Sequence, residues 1–133
     1  MSTAQNLLVG YGVLVLTYGF LLGVPLAAAR MKTPAASRHL VTAHLSGLMQ
    51  GPIHFGLAFA LGAVSFDSSL ATVAAGLVVA GSLAEITGGT LNWLQSTQDQ
   101  FSERSMGFRV NSLTGLLAIP GALIIAVGVL GRL

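Results

Sequence analysis

The stretch Thr42 to Gly51 reads T-A-H-L-S-G-L-M-Q-G and opens an apolar run that continues through Pro52, His54 and Phe59 to about Val64. As a helix, such a run is long enough to cross the roughly 30 Å hydrocarbon core of a bilayer. It therefore sets a histidine inside a membrane, where polar side chains are costly and mark the places to look for function. Gly47, Leu48 and Gly51 lie three, four and seven residues on from His44 and share its helical face. That glycine-smoothed wall can seat a neighbouring helix, and the same lack of side chains beside an imidazole can admit a flat macrocycle. Gln50 is about 120° from His44 around the axis and one to two turns deeper, within reach of the edge of the same cavity. Pro52 removes a backbone donor and frees the Leu48 carbonyl, which predicts a kink beside this site. His54, about 15 Å further along, is too far away to share a small metal ion with His44.

The composition extends this reading to the whole chain. Of 133 residues, 53% are apolar and 8% charged, with a mean hydropathy of +0.81, whereas about a quarter of a soluble domain is charged. Four runs can span a bilayer: about Leu7–Ala29, Val41–Val64, Leu70–Leu94 and Val110–Leu130. With no water in the bilayer to satisfy the backbone, such runs must be helices. The expected fold is all-α, an integral membrane four-helix transmembrane bundle forming one domain over 1–133. The first run has no basic segment before it and is followed by three more, so it reads as a retained helix rather than a signal peptide.

The net charge of +2 is small and dispersed, which argues against nucleic acid as a partner. Arg30, Lys32 and Arg38 lie between the first two spans and Arg104 and Arg109 between the last two, against Arg132 alone on the other side. The positive-inside rule then makes those loops cytoplasmic and turns both termini outward, in a multi-pass protein of the cell (inner) membrane. The absence of cysteine excludes disulfides, thiolate metal sites and thiol nucleophiles.

The remaining polar residues are few. Gly12, Gly19 and Gly23 fall on nearly one stripe of the first span, a surface for close helix packing. Tyr11 and Tyr18 share another face, and the Tyr18 hydroxyl is a candidate to donate into a bundle cavity. Pro34 predicts an irregular turn before the second helix. His39 is expected at the water or headgroup boundary, and Trp93 reads as an interfacial anchor. Asp67, with its neighbouring serines, makes a tight turn. Glu85 sits near the middle of the third span, where an ionised carboxylate costs several kcal/mol unless paired, so it should face the interior. Asn92 is seven residues on and shares that face. The hydrophilic stretch after Leu94 is expected to fold back over the cytoplasmic mouth. From the residues alone, His44 can bind haem, shuttle protons or form a structural hydrogen bond.

The block A-H-L-S-G-L-M-Q-G, followed by L-A-F-A-L-G-A-V-S-F, resembles the second-helix region of the styrene oxide isomerase family. Its matching elements are Ala43-His44, Gln50-Gly51, Ala58-Phe59 and Phe66. The resemblance implies a small four-helix membrane enzyme, a homotrimer holding haem b at the contact between subunits. It implies His44 as axial ligand to ferric iron and Gln50 where the family has an asparagine next to the substrate; the glycine-smoothed face read above would then set Gly47 and Gly51 beside the cofactor. The iron would act as a Lewis acid on an aryl epoxide, and a 1,2-hydride shift would give an aryl acetaldehyde. The family's third helix supplies an active-site tyrosine, but the third span here has none. Asn92, Thr90 and Tyr18 are the candidates to replace it, and Glu85 completes the set of candidate catalytic groups. The competing reading is a non-enzymatic membrane subunit or transporter, in which Glu85, His54 and Asn92 form a polar track. Four thin, glycine-rich helices enclose little interior, which favours an oligomer under either reading.

Overall fold

The computed structural model describes residues 1–33 and 35–132; the turn expected at Pro34 falls outside them. Among the described residues the chain forms four helices and no strand: α1 (Thr3–Lys32), α2 (Arg38–Gly62), α3 (Ser68–Leu94) and α4 (Met106–Leu130). Local chemistry sets three of the helix starts. Ser2 and Gln5 close a capping box on α1, Asp67 caps α3 by accepting from the Leu70 N–H at 2.8 Å, and Ser105 caps α4 by accepting from Phe108 at 3.0 Å. Pro25, Pro52 and Pro120 all lie inside helices.

Helices α1, α3 and α4 are each long and apolar enough to cross a membrane. Helix α2 has 25 residues, about 37 Å at 1.5 Å per residue, but Arg38, Gln50 and three histidines make it more polar than the others. It buries much of that polarity: Gln50, His54 and His39 are all largely enclosed. Outward-facing positions are instead apolar, with Leu14, Val24, Phe59, Leu116 and Val127 strongly exposed. An apolar exterior around a partly polar interior is the pattern expected where the surrounding solvent is lipid.

The helices pack chiefly as two close pairs, α1 on α2 and α3 on α4, joined through α3. Small residues let the backbones meet. A Cβ on Gly19 would lie 2.7 Å from the Leu48 backbone nitrogen, and one on Gly47 would lie 2.7 Å from the Gly19 Cα. At the second pair, a Cβ on Gly81 would meet Ala118 at 2.7 Å. The stripe expected on the first span is therefore the α1/α2 contact.

The segment after α3 does fold back across the end of α2. The Arg38 guanidinium donates to the Gln98 carbonyl, and Asn92, fully enclosed, donates to Gln100 and accepts from Ser105. One expectation is corrected here. His39, expected at the boundary, is buried close to Thr97 because this loop covers it. Trp93, at the loop end of α3, is partly enclosed against the cluster of Leu22, Leu40 and Ala43.

Within the same loop the exposed Asp99 carboxyl accepts from the Phe101 N–H at 3.0 Å, and this bond chiefly holds it below the ordinary carboxylate range, with help from Ser102 and Arg38. A depressed carboxyl stabilises the loop at neutral pH, and the benefit is lost as pH falls through its own lowered pKa. The Phe101 amide resonance is thus expected to titrate with a midpoint below the ordinary aspartate range. Asp99→Asn should abolish that titration.

Candidate active site

Helix α2 presents polar groups on two sides. On the α1 side stands His44, whose Nδ1 lies 2.8 Å from the Gly19 carbonyl oxygen. A carbonyl only accepts, so Nδ1 carries the hydrogen and the Nε2 lone pair is left available. Gly23 makes room for the ring, since a Cβ there would come within 3.3 Å of the His44 Cε1.

On the α3 side, Ser46 and Gln50 both reach Glu85. Ser46 Oγ donates to one carboxylate oxygen at 2.8 Å and Gln50 Nε2 to the other at 2.7 Å. The carboxylate thereby fixes the orientation of the Gln50 amide, whose Oε1 is buried without a partner. Ser46 was not anticipated. Its position four residues before Gln50, on the same helical face, is the signal that could have found it. Deeper in the bundle, His54 is fully enclosed: Nδ1 meets the Gln50 carbonyl at 2.7 Å, Nε2 meets Ser82 at 3.3 Å, and the ring packs on Tyr11.

Glu85→Ala should leave the buried Gln50 amide without its acceptor at a cost of about 1–3 kcal/mol, while Ser46, which lines the polar cavity, can turn to water. Glu85→Gln is expected to be milder. Its carbonyl can accept from Gln50 while its amide donates to Ser46, a hydroxyl that works in either direction. Thermal unfolding in detergent should therefore rank wild type, Glu85→Gln and Glu85→Ala in that order.

Of the cavities beside α3, two lie next to these residues. One, of about 400 Å³, is an apolar groove between α1 and α3 whose walls include Leu14, Val15, Leu83 and Ile86. Tyr18 and Thr90 also line it, with their hydroxyl oxygens 2.8 Å apart. The other, of about 550 Å³, runs from the loop to Glu85 and is polar, lined among others by Arg38, His39, Ser46, Gln98 and Asp99.

The candidate residues thus separate. Gln50 joins Glu85, and Tyr18 joins Thr90. Asn92 is hydrogen-bonded to Gln100 and Ser105 of the loop, while His54 and Glu85 are linked through Gln50. His44 and Gln50 reach different helices, α1 and α3. Gly47 and Gly51, expected beside a macrocycle, are instead packed against the α1 backbone and Leu16. That face of α2 is occupied by a helix.

For a haem group, the donor chemistry of His44 fits. An axial imidazole characteristically gives its second N–H to a carbonyl or carboxylate, which sets the tautomer and the ring plane. No group of three His, Asp or Glu side chains among the described residues is placed to hold a bare metal ion. A lone histidine suits a metal whose other ligands come from its own macrocycle.

Fold and site together define a small all-helical protein whose chemistry is confined to a few polar side chains between apolar helices. A sequence model of the family described as Styrene oxide isomerase matches residues 4–133, and the chain belongs to that family. The resemblance read on the second-helix block therefore extends over nearly the entire chain. No curated protein and no solved structure gives a significant match.

Proposed function

We propose that this protein is a haem b-dependent isomerase of the cell membrane that converts aryl epoxides of the styrene oxide type to aryl acetaldehydes. The observation that carries the proposal, beside family membership, is the His44 bond to the Gly19 carbonyl, which leaves Nε2 poised for an iron. When bound, ferric haem supplies a Lewis acid for the epoxide oxygen. The chain's part is to orient the imidazole, bind the aryl group and exclude water. Four spanning helices are part of this reading, with α2 turning Gln50 and His54 inward and Leu45, Met49, Ile53 and Phe59 outward.

An assembly of three copies, with the haem between them, agrees with two features. Tyr18 and Gly19 are adjacent on α1, so His44 lies at nearly the depth of Tyr18 but around another face of the helix. A rotation axis parallel to the helices would then bring His44 of one copy level with the α1/α3 groove of the next, through the kind of heterologous contact that closes a ring.

The test is turnover by purified protein expressed with haem supplied. Conversion of styrene oxide to phenylacetaldehyde, without added reductant or oxidant and in proportion to bound haem, is the expected result. Absence of aldehyde from haem-loaded protein overturns the proposal.

A further inference from the structure

We infer that the groove between α1 and α3 is the aryl-epoxide site and that Tyr18, paired with Thr90, supplies its hydrogen-bond donor. The assignment rests on the isomerase reading and deepens it.

The chemistry separates the two cavities. Opening an aryl epoxide at its benzylic carbon breaks that C–O bond, sends the electron pair to oxygen and leaves a benzylic cation. A hydrogen then moves with its electron pair from the neighbouring carbon, and the carbonyl forms, so the product is an isomer of the substrate. Water within reach of the cation would capture it as a diol. The cavity that ends at Glu85 is lined by charged and amide groups and opens among loop residues, which makes it a place for water. The α1/α3 groove is lined chiefly by apolar side chains. At about 400 Å³ it also falls within the size range of small-ligand sites. Leu14 and Leu83 on its rim are 69% and 54% exposed on the outer face of the single chain, so the groove opens toward the side where the ring proposed above sets the next copy's His44.

The groove also holds the hydroxyl that the third helix lacks as tyrosine. Tyr18 and Thr90 together carry two hydroxyl hydrogens, and their 2.8 Å contact uses one. The other remains for a ligand. Whichever way the shared bond runs, the pair can present one O–H to the epoxide oxygen as negative charge builds there, and no proton need be transferred. Donors aimed at developing charge in a dry site are worth roughly 100-fold or more in rate.

The test uses the haem-loaded protein and has three readouts. Tyr18→Phe keeps the ring and removes the O–H, and should lower kcat at least tenfold while changing KM less than threefold and leaving the haem spectrum intact. Ile86→Ala enlarges a buried wall of the groove. It should raise the ratio of kcat/KM for 2-naphthyloxirane to that for styrene oxide at least tenfold, and this ratio does not depend on how much protein is folded. The unreactive probe 4-fluorostyrene should show a 19F line broadened by wild type and sharpened when Leu83→Trp fills the groove. An unchanged ratio in Ile86→Ala, a wild-type kcat in Tyr18→Phe, or equal broadening with Leu83→Trp would each overturn the assignment. Failure of the isomerase reading looks different, because wild-type protein then yields no aldehyde from either epoxide.

Discussion

His44→Ala, expressed with haem supplied, is expected to purify colourless where the wild type carries a Soret band that shifts on reduction by dithionite. The expectation follows from the division of labour on the imidazole. Nδ1–H is committed to the Gly19 carbonyl at 2.8 Å, so Nε2 is the only atom of that ring with a lone pair to offer. Removing groups that merely orient a metal ligand typically costs about 10–100-fold in affinity or activity. Removing the ligand itself should cost more than about 100-fold in epoxide turnover. His54→Ala is the matched control. It deletes an equally intramembrane histidine, but one whose two nitrogens are both engaged, with the Gln50 carbonyl and Ser82. It should lower thermal stability while keeping the haem-to-protein ratio of the folded fraction. Colour retained in His44→Ala would remove His44 as ligand. A colourless wild type would remove the haem and return attention to Glu85 and the polar cavity beside it.

The helices were legible in the sequence because lipid imposes a blunt rule: long apolar runs must satisfy their own backbone. The runs beginning at Leu70 and Val110 end at Leu94 and Leu130, as α3 and α4 do. Helix α1 extends beyond its run at both ends, because Ser2 and Gln5 cap it early and the basic residues Arg30 and Lys32 continue it. Periodicity placed Gly12, Gly19 and Gly23 on one stripe, but could not say which helix would cover it. The answer, α2, reassigns Gly47 and Gly51 from a wall for a cofactor to a seat for α1.

Long-range partners were not legible for the same reason. Nothing local in the sequence announces that Tyr18 meets Thr90 across 72 positions, or that Ser46 and Gln50 meet Glu85. Helical spacing sets the direction of a side chain from its own axis, while its partner depends on how whole helices are arranged. The burial of His39 is a similar case. It depends on the loop that lies over the end of α2, held by Arg38 to Gln98 and by Asn92 to Gln100 and Ser105, and loops follow no period.

Gly19→Leu should reproduce the colour loss of His44→Ala with the histidine left in place. A Cβ at Gly19 would stand 2.7 Å from the Leu48 nitrogen and 2.8 Å from the Gly47 carbonyl carbon. Both are backbone atoms, so no side chain can rotate aside to relieve the clash. The helices must separate, at a cost of about 1–3 kcal/mol or more, and the separation carries the Gly19 carbonyl away from His44 Nδ1. The ring then loses both its fixed tautomer and its fixed plane. Gly56→Leu is the control, because a Cβ there meets nothing within 4 Å and the new side chain would project into lipid. A lowered thermal midpoint and a lost Soret band in Gly19→Leu, with both retained in Gly56→Leu, would tie the glycine contact to the chemistry. If Gly19→Leu instead lost stability but kept a full Soret band, the α1 carbonyl would be dispensable for ligation, and the α1/α2 contact would serve the fold alone.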